Sequence, residues 1–249
     1  MSGYKLILST SRRKDGPMGF TADPNNPVAV KNRNRFFRSL DISPSEVVLT
    51  KQIHGAGIKR VNRVPHSGFV FGGHDALATN KPNIFLAIKT ADCFPVFFYD
   101  SSFRAVGIAH AGWRGAMKGI APKMGWFLMR EFGIKAKDIR VIIGPGIQRC
   151  HFEIWPGSRH KGIARHLNPY KNFVGRKDGR IFLDLSGIIK YQLNESGIAR
   201  RHVQVSNDCT YHLPQNFFSY RRDAGKRYPK GRGNMISIIG LKPYEKTAS

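Results

Sequence analysis

Three residues have the types and placement of metal ligands: His54 in "KQIHG", Cys93 in "TADC" and His110 in "AHAGWRG". Zinc sites in enzymes take three protein ligands, Cys/His mixtures among them, and keep a fourth position open for water or substrate. Separations of 39 and 17 residues are too long for one binding loop, so the ends of different strands must converge at one edge of a sheet. Cys93 and His110 also suit a nucleophile and its activating base without any metal. The plainest reading is a small buried thiol and a hydrogen-bonding imidazole beside a core. From the residues alone all three readings stand.

Neighbouring residues extend the chemistry. "IHGAG", "TADC" and "AHAGWRG" surround each candidate with small or turn-forming residues, which leaves room for a ligand to approach the backbone. Asp92, beside Cys93, is a candidate general acid or base, and its plainer role is a turn hydrogen bond at a strand end. Arg114 follows Trp113 at the expected start of a helix, where a guanidinium and backbone N–H groups point the same way and attract an anion. Its plainer reading is an exposed arginine beside a core Trp113. Arg221 and Arg222 open the densest basic run, "RRDAGKRYPKGR", with six bases and one acid, either a solvated loop or an anion-binding one.

Strands must position these residues. Tyr4 to Leu8 reads as a short strand, Asp15 to Pro27 as a Gly/Pro/Asn-rich loop, and Val28 to Leu40 as a helix. "EVVLTKQIHG" predicts a strand ending near His54, with "GIKRV" as its continuation or partner. "NIFLAIKT", "FPVFFYD" and "AVGIAHA" predict three strands in succession, the last two a hairpin around "SSFR". Met117, Ile120, Ala121, Met124 and Leu128 form the stripe of one amphipathic helix, weakened in its first half by Gly119, Pro122 and Gly125. "DIRVIIG" and "CHFEIW" give strands around the turn "GPGIQR", "LDLSGIIKYQLNESGI" a further helix, and "HVQVSND" and "NMISIIGL" the closing strands. Strands outnumber the helices that interrupt them, which predicts an α+β (mixed α/β) fold: a single layered domain over residues 1–249, with mixed sheets flanked by helices.

Composition bounds the environment. A chain of 249 residues with 41% hydrophobic residues can fill a sizeable core. Three cysteines without a CxxC pair suit reduced thiols, hence a cytoplasmic protein, better than a disulfide framework. No apolar h-region follows "MSGYKLILSTSRRK", and no run approaches the ~20 apolar residues of a membrane span. The balance of 41 Lys+Arg against 16 Asp+Glu gives 41 − 16 = +25, an excess that attracts polyanions non-specifically. The bases are spread from Lys5 to Lys246, which is weaker support for a nucleic-acid-binding protein than a patch.

Five segments taken in order resemble one family. "TKQIHG", "DALATNKPNIFLAIKTADCFPVFFYD", "AHAGWRG", "IGPGIQRCHFEI" and "CTYHLPQNFFSYRRD…RGNMISIIGL" look like the laccase-domain family, also described as polyphenol oxidase, peptidoglycan editing factor or purine nucleoside phosphorylase. "NNPVAVKNRNRFFRSLDI" resembles its early helical region, so only the extreme termini and residues 156 to 180 fall outside. The resemblance implies a mixed α/β domain and a zinc held by His54, Cys93 and His110. It implies cleavage of adenosine, inosine and methylthioadenosine with phosphate, and deamination of adenosine. The chain departs from the family pattern at "RRKDGPMGF", at Gly146 and Gln148-Arg149, and in a basic loop lengthened by "RYPKG". These departures bear on substrate choice more than on the metal ligands.

The oxidase label is tested by ligand count. Multicopper oxidases hold their coppers with HxH pairs, whereas this chain has nine histidines in total and no HxH. A single blue-copper site would need a weak axial Met, and Met117 is not an obvious one, so copper stands only as an adventitious occupant. For deamination an open zinc position activates water for attack at C6 of adenine, with Asp92 shuttling protons. For phosphorolysis, Arg114 together with Arg221 or Arg222 would clamp the phosphate. Two alternatives use other chemistry. One is a metal-free Cys93/His110 hydrolase or deamidase, including one that edits peptidoglycan precursors; the other is a basic nucleic-acid-associated binding protein.

Overall fold

In the computed structural model, residues 3–19, 26–66, 68–70, 72–154, 162–223 and 232–244 are described. The chain begins with β1 (Tyr4–Thr10), α1 (Pro27–Ser39), β2 (Val47–Thr50), β3 (Ile58–Arg60), β4 (Phe69–Val70) and β5 (Ala76–Thr79). It continues with β6 (Phe85–Thr90), β7 (Phe94–Asp100), β8 (Val106–Ala111), α2 (Trp113–Met117), α3 (Ile120–Phe132) and β9 (Ile139–Ile143). The last third holds β10 (Glu153–Ile154), β11 (Val174–Lys177), β12 (Arg180–Leu183), α4 (Leu185–Glu195), β13 (Val203–Val205), α5 (Tyr220–Asp223) and β14 (Met235–Pro243).

Two mixed sheets carry the fold. One runs β13-β9-β7-β8-β5-β3 and the other β1-β14-β6-β2-β4. In the first, β8 is antiparallel to both β5 and β7, while β3 and β13 are parallel to their neighbours. The central strands are apolar on both faces, as sheets covered on both sides require. Leu77, Phe97 and Ile108 of the first sheet meet Val48, Leu86, Ile88 and Ile239 of the second in one buried layer. On the far side of the first sheet, Phe94, Val96 and Phe98 pack against Ile120, Met124 and Leu128 of α3 and Ile188 and Ile189 of α4. On the far side of the second, Phe85 and Ala87 meet Phe36 and Phe37 of α1. The order is helix, sheet, sheet, helices, a mixed α/β architecture. Each fully buried Phe or Leu contributes about 1.5–3 kcal/mol to it.

Several elements differ from the sequence expectation. The stripe from Met117 to Leu128 is split into α2 and α3 at Gly119, whose φ of 73° is left-handed and open to glycine. Pro122 falls in the first turn of α3, where no N–H is required of it. "GIKRV" neither continues nor partners β2, because β3 pairs with β5 in the other sheet. "CHFEIW" supplies only the two residues of β10, which join β11 and β12 in a small third sheet, and Trp155 lies outside the described residues. Of the basic run, Arg221 and Arg222 stand in α5, while residues 224–231 lie outside the described ones, as do residues 20–25 of the early loop. Among the described residues no helix is long and apolar enough to cross a membrane.

Candidate active site

The candidate site forms beyond the ends of β2 and β8, where β7 begins. At the end of β2, Thr50 Oγ1 donates to the His74 carbonyl at 2.6 Å. The Gln52 amide then pairs with both backbone groups of Lys89, at 2.7 and 2.8 Å. The buried Asp75 collects the turn that follows, accepting the N–H groups of Ile53 (3.1 Å), His54 (2.9 Å) and Gly55 (2.7 Å). His54 sits there with a φ of 59°. Thus the imidazole is carried by a turn pinned at three successive points.

Cys93 and His110 come from neighbouring strands. β7 and β8 pair with Phe94 opposite Ala111 and Pro95 opposite His110, so the residue before β7 and the penultimate residue of β8 share one sheet edge. Gly112 follows, and a Cβ there would stand 2.8 Å from Cys93 Sγ and 3.2 Å from His54 Cδ2. Only glycine lets the chain pass this close to both side chains.

The three side chains converge. Their ligand atoms all lie within 4.8 Å of one another, and the His54 and His110 rings meet edge to face, 4.8 Å between centroids at 81°. Tetrahedral zinc bonded at about 2.0–2.3 Å needs ligand atoms roughly 3.3–3.8 Å apart, so small side-chain rotations close the set. His110 Nδ1 lies 2.8 Å from Asp75 Oδ1. An ionised carboxylate can only accept, so Nδ1 carries the proton, which leaves Nε2 as the nitrogen available to a metal. Burial raises the Asp75 pKa, but hydrogen bonds from His110, Gly55 and Ile53 outweigh it and keep the group below its ordinary value. Burial also opposes ionisation of Cys93; the charges and hydrogen bonds of His110 and His54 prevail and bring the thiol down to about 6. Burial opposes the imidazolium of His110 in turn, and Cys93 and Asp75 lift its pKa to about 9. A thiolate and two imidazoles, one backed by a carboxylate, fit a borderline-soft divalent metal.

Asp92 is buried, with a φ of 83°. Its Oδ1 accepts from Thr210 Oγ1 at 2.7 Å and its Oδ2 from the Arg221 N–H at 2.7 Å. Burial pushes its pKa above the usual carboxylate value despite hydrogen bonds from Arg221, Ser219 and Thr210. Arg114 is exposed, its guanidinium 4.5 Å from the centre of the Trp113 ring. Arg221 donates from both terminal nitrogens to the Glu153 carbonyl, at 3.1 Å each, and lies over Phe152. All five N–H donors of Arg222 meet acceptors of its own chain: Asp223, and the carbonyls of Thr210, Tyr211 and Phe217. Asp75 was missed by sequence reasoning. The one signal for it was an acid next to His74, just ahead of the small-residue segment "ALAT".

Known proteins are similar to this chain over most of its length. Residues 9–242 match the family described as multi-copper polyphenol oxidoreductase laccase. Over 232 residues the chain is 33% identical to a protein named purine nucleoside phosphorylase YlmD of Geobacillus stearothermophilus, covering 90% of this chain and 82% of that one. It is 30% identical to purine nucleoside phosphorylase YfiH of Escherichia coli, covering 87% of this chain and 83% of that one. A crystal structure of a Bacillus licheniformis hypothetical protein YfiH superposes with a TM-score of 0.84 at 29% identity, over 95% of this chain and 93% of that one. The chain belongs to the multi-copper polyphenol oxidoreductase laccase family.

Proposed function

We propose that this protein is a zinc-dependent purine nucleoside enzyme. It cleaves adenosine, inosine and methylthioadenosine with phosphate to the free base and (methylthio)ribose 1-phosphate, and it deaminates adenosine. The observation that carries this reading is the convergence of His54, Cys93 and His110, with Asp75 behind His110. The name purine nucleoside phosphorylase borne by relatives such as the Geobacillus and Escherichia proteins supplies the reaction class.

In this reading His54, Cys93 and His110 hold zinc, which when bound supplies a Lewis-acidic charge to an oxygen of phosphate or water. The chain's own residues do the rest. Arg114, exposed and two residues after Gly112, and Arg221 draw phosphate to the anomeric carbon. A phosphate oxygen forms the new bond to C1′ as the C1′–N9 bond breaks, and the electron pair leaves on the purine. Asp92, whose raised pKa suits a proton carrier, gives a proton to the purine on phosphorolysis and shuttles protons at C6 during deamination. Arg222, with every donor engaged, ties α5, which carries Arg221, to the segment from Thr210 to Phe217. The test is mass spectrometry of adenosine incubated with phosphate and zinc-loaded protein: adenine, ribose 1-phosphate and inosine are expected, and the absence of both adenine and inosine would end the proposal.

A second reading rests on the Cys93 thiol at about 6 beside His110 at about 9, a thiolate–imidazolium pair able to act as a nucleophile without metal. His54 is dispensable to such a dyad. Activity that survives His54→Ala and full metal removal would favour it.

A further inference from the structure

Outside the site described above, a second group of metal-binding side chains stands among the described residues. The ligand atoms of Cys150, His151 and Cys209 all lie within 4.8 Å of one another. His151 Nδ1 is 3.1 Å from Cys150 Sγ and 3.6 Å from Cys209 Sγ, so one ring nitrogen faces two sulfurs. The ring plane is fixed by stacking on Tyr211, 4.4 Å between centroids at 23°.

The scaffold beneath is already built. The segments carrying the two cysteines meet in a parallel bridge between Gly146 and Cys209, and Thr210 donates its N–H to the Gly146 carbonyl at 3.0 Å. Gln148 Nε2 adds a bond to the Ser206 carbonyl at 3.0 Å. Cys209 is buried and Cys150 exposed, which gives a cation an anchored ligand and an entry side. His212 stands three residues after Cys209, exposed, its ring 5.4 Å from that of His151 and edge-on to it.

We infer that Cys150, His151 and Cys209 bind a thiophilic divalent cation of the zinc type, with His212 completing a closed, structural Cys2His2 set. On binding, the two thiols release their protons to solvent and the imidazoles contribute lone pairs, so two thiolates neutralise the dication. The cation staples the segment from Gly146 to His151 to that from Ser206 to His212. Thr210, inside the second segment, holds the Asp92 carboxylate at 2.7 Å, so the staple supports the wall of the first site without touching its ligands.

The experiment uses the full chain, stripped of metal in a non-thiol reductant and titrated with cobalt(II) and then zinc. Wild type is expected to take up about two equivalents, and the His54→Ala/Cys93→Ser variant about one, with thiolate-to-cobalt charge-transfer absorption retained. Adding Cys150→Ser to that variant should abolish the absorption. Zinc at a hundredfold excess over its Kd should raise the thermal midpoint of the His54→Ala/Cys93→Ser protein by roughly 5–10 °C, and the rise should vanish with Cys150→Ser. The inference is overturned if the His54→Ala/Cys93→Ser protein takes up no cobalt, or takes it up equally with Ser at position 150. It is also overturned if Cys150 and Cys209 resist reduction, read as a mass lower by two hydrogens, because the pair would then be a disulfide.

Discussion

Asp75 Oδ1 lies 2.8 Å from His110 Nδ1 and also accepts the backbone N–H of His54 at 2.9 Å. One carboxylate oxygen therefore orients a ring from β8 and the turn carrying a second imidazole from beyond β2. The His54, Cys93 and His110 cluster is thus held by a residue outside the group of side chains that could bind a metal.

Asp75→Asn keeps the size and an acceptor but loses the charge that fixes the His110 tautomer. Zinc affinity at the first site is expected to fall about 10–100-fold in competition with a chelating dye. Asp75→Ala should also destabilise the fold, by about 1–3 kcal/mol for each backbone N–H left buried and unpaired, measured by urea unfolding.

Gly112→Ala places a Cβ where Cys93 Sγ and His54 Cδ2 already stand, at 2.8 and 3.2 Å. Metal affinity should drop at least about tenfold and stability by about 1–3 kcal/mol from overpacking. An unchanged zinc isotherm would show that the cluster can shift without cost.

The site was legible in part. His54, Cys93 and His110, which the fold brings together, could be singled out as candidates because their types and small neighbours mark chemistry wherever the chain takes them. Asp75 could not, because its role depends on β5 lying beside β8, and "ALAT" lacks the β-branched pattern that announces a strand. The misplacement of β3 has the same origin: strand pairing is non-local, and "GIKRV" looks alike whether it follows β2 or crosses to the other sheet. Gly119 was visible as a weak point, but only its left-handed backbone decides that the helix breaks there. The layered mixed fold followed from strands that outnumber the helices interrupting them.

In metal-free protein, Cys93 should ionise with an apparent midpoint of about 6, seen as thiolate absorbance in the ultraviolet that Cys93→Ser removes. The thiol pKa is lowered, so the thiolate is present above that midpoint and lost as pH falls through it. Metal binding also needs the neutral His110 ring, so affinity at this site should fall as pH drops below about 9 and more steeply below about 6. His110→Gln removes the main stabilising charge and should return the midpoint towards the ordinary thiol range.

The arginines should separate by readout. Arg114→Ala is expected to raise the phosphate KM about tenfold or more while thermal stability stays within about 1–2 °C, since the side chain is exposed. Arg222→Ala removes the guanidinium donors of the Thr210 and Tyr211 carbonyls and leaves Phe217 with the longer bond from Arg13, at 3.4 Å. It should cost about 2–4 kcal/mol of stability, measured by denaturant unfolding.

The most direct measurement is phosphorus NMR of adenosine and inorganic phosphate incubated with metal-free protein as zinc is added stepwise, beside Cys93→Ser under the same conditions. Ribose 1-phosphate should appear only in the wild type, require zinc, and rise with occupancy of the His54, Cys93 and His110 set. Turnover that is undiminished without zinc, or no ribose 1-phosphate at full occupancy, would contradict a zinc-dependent phosphorylase.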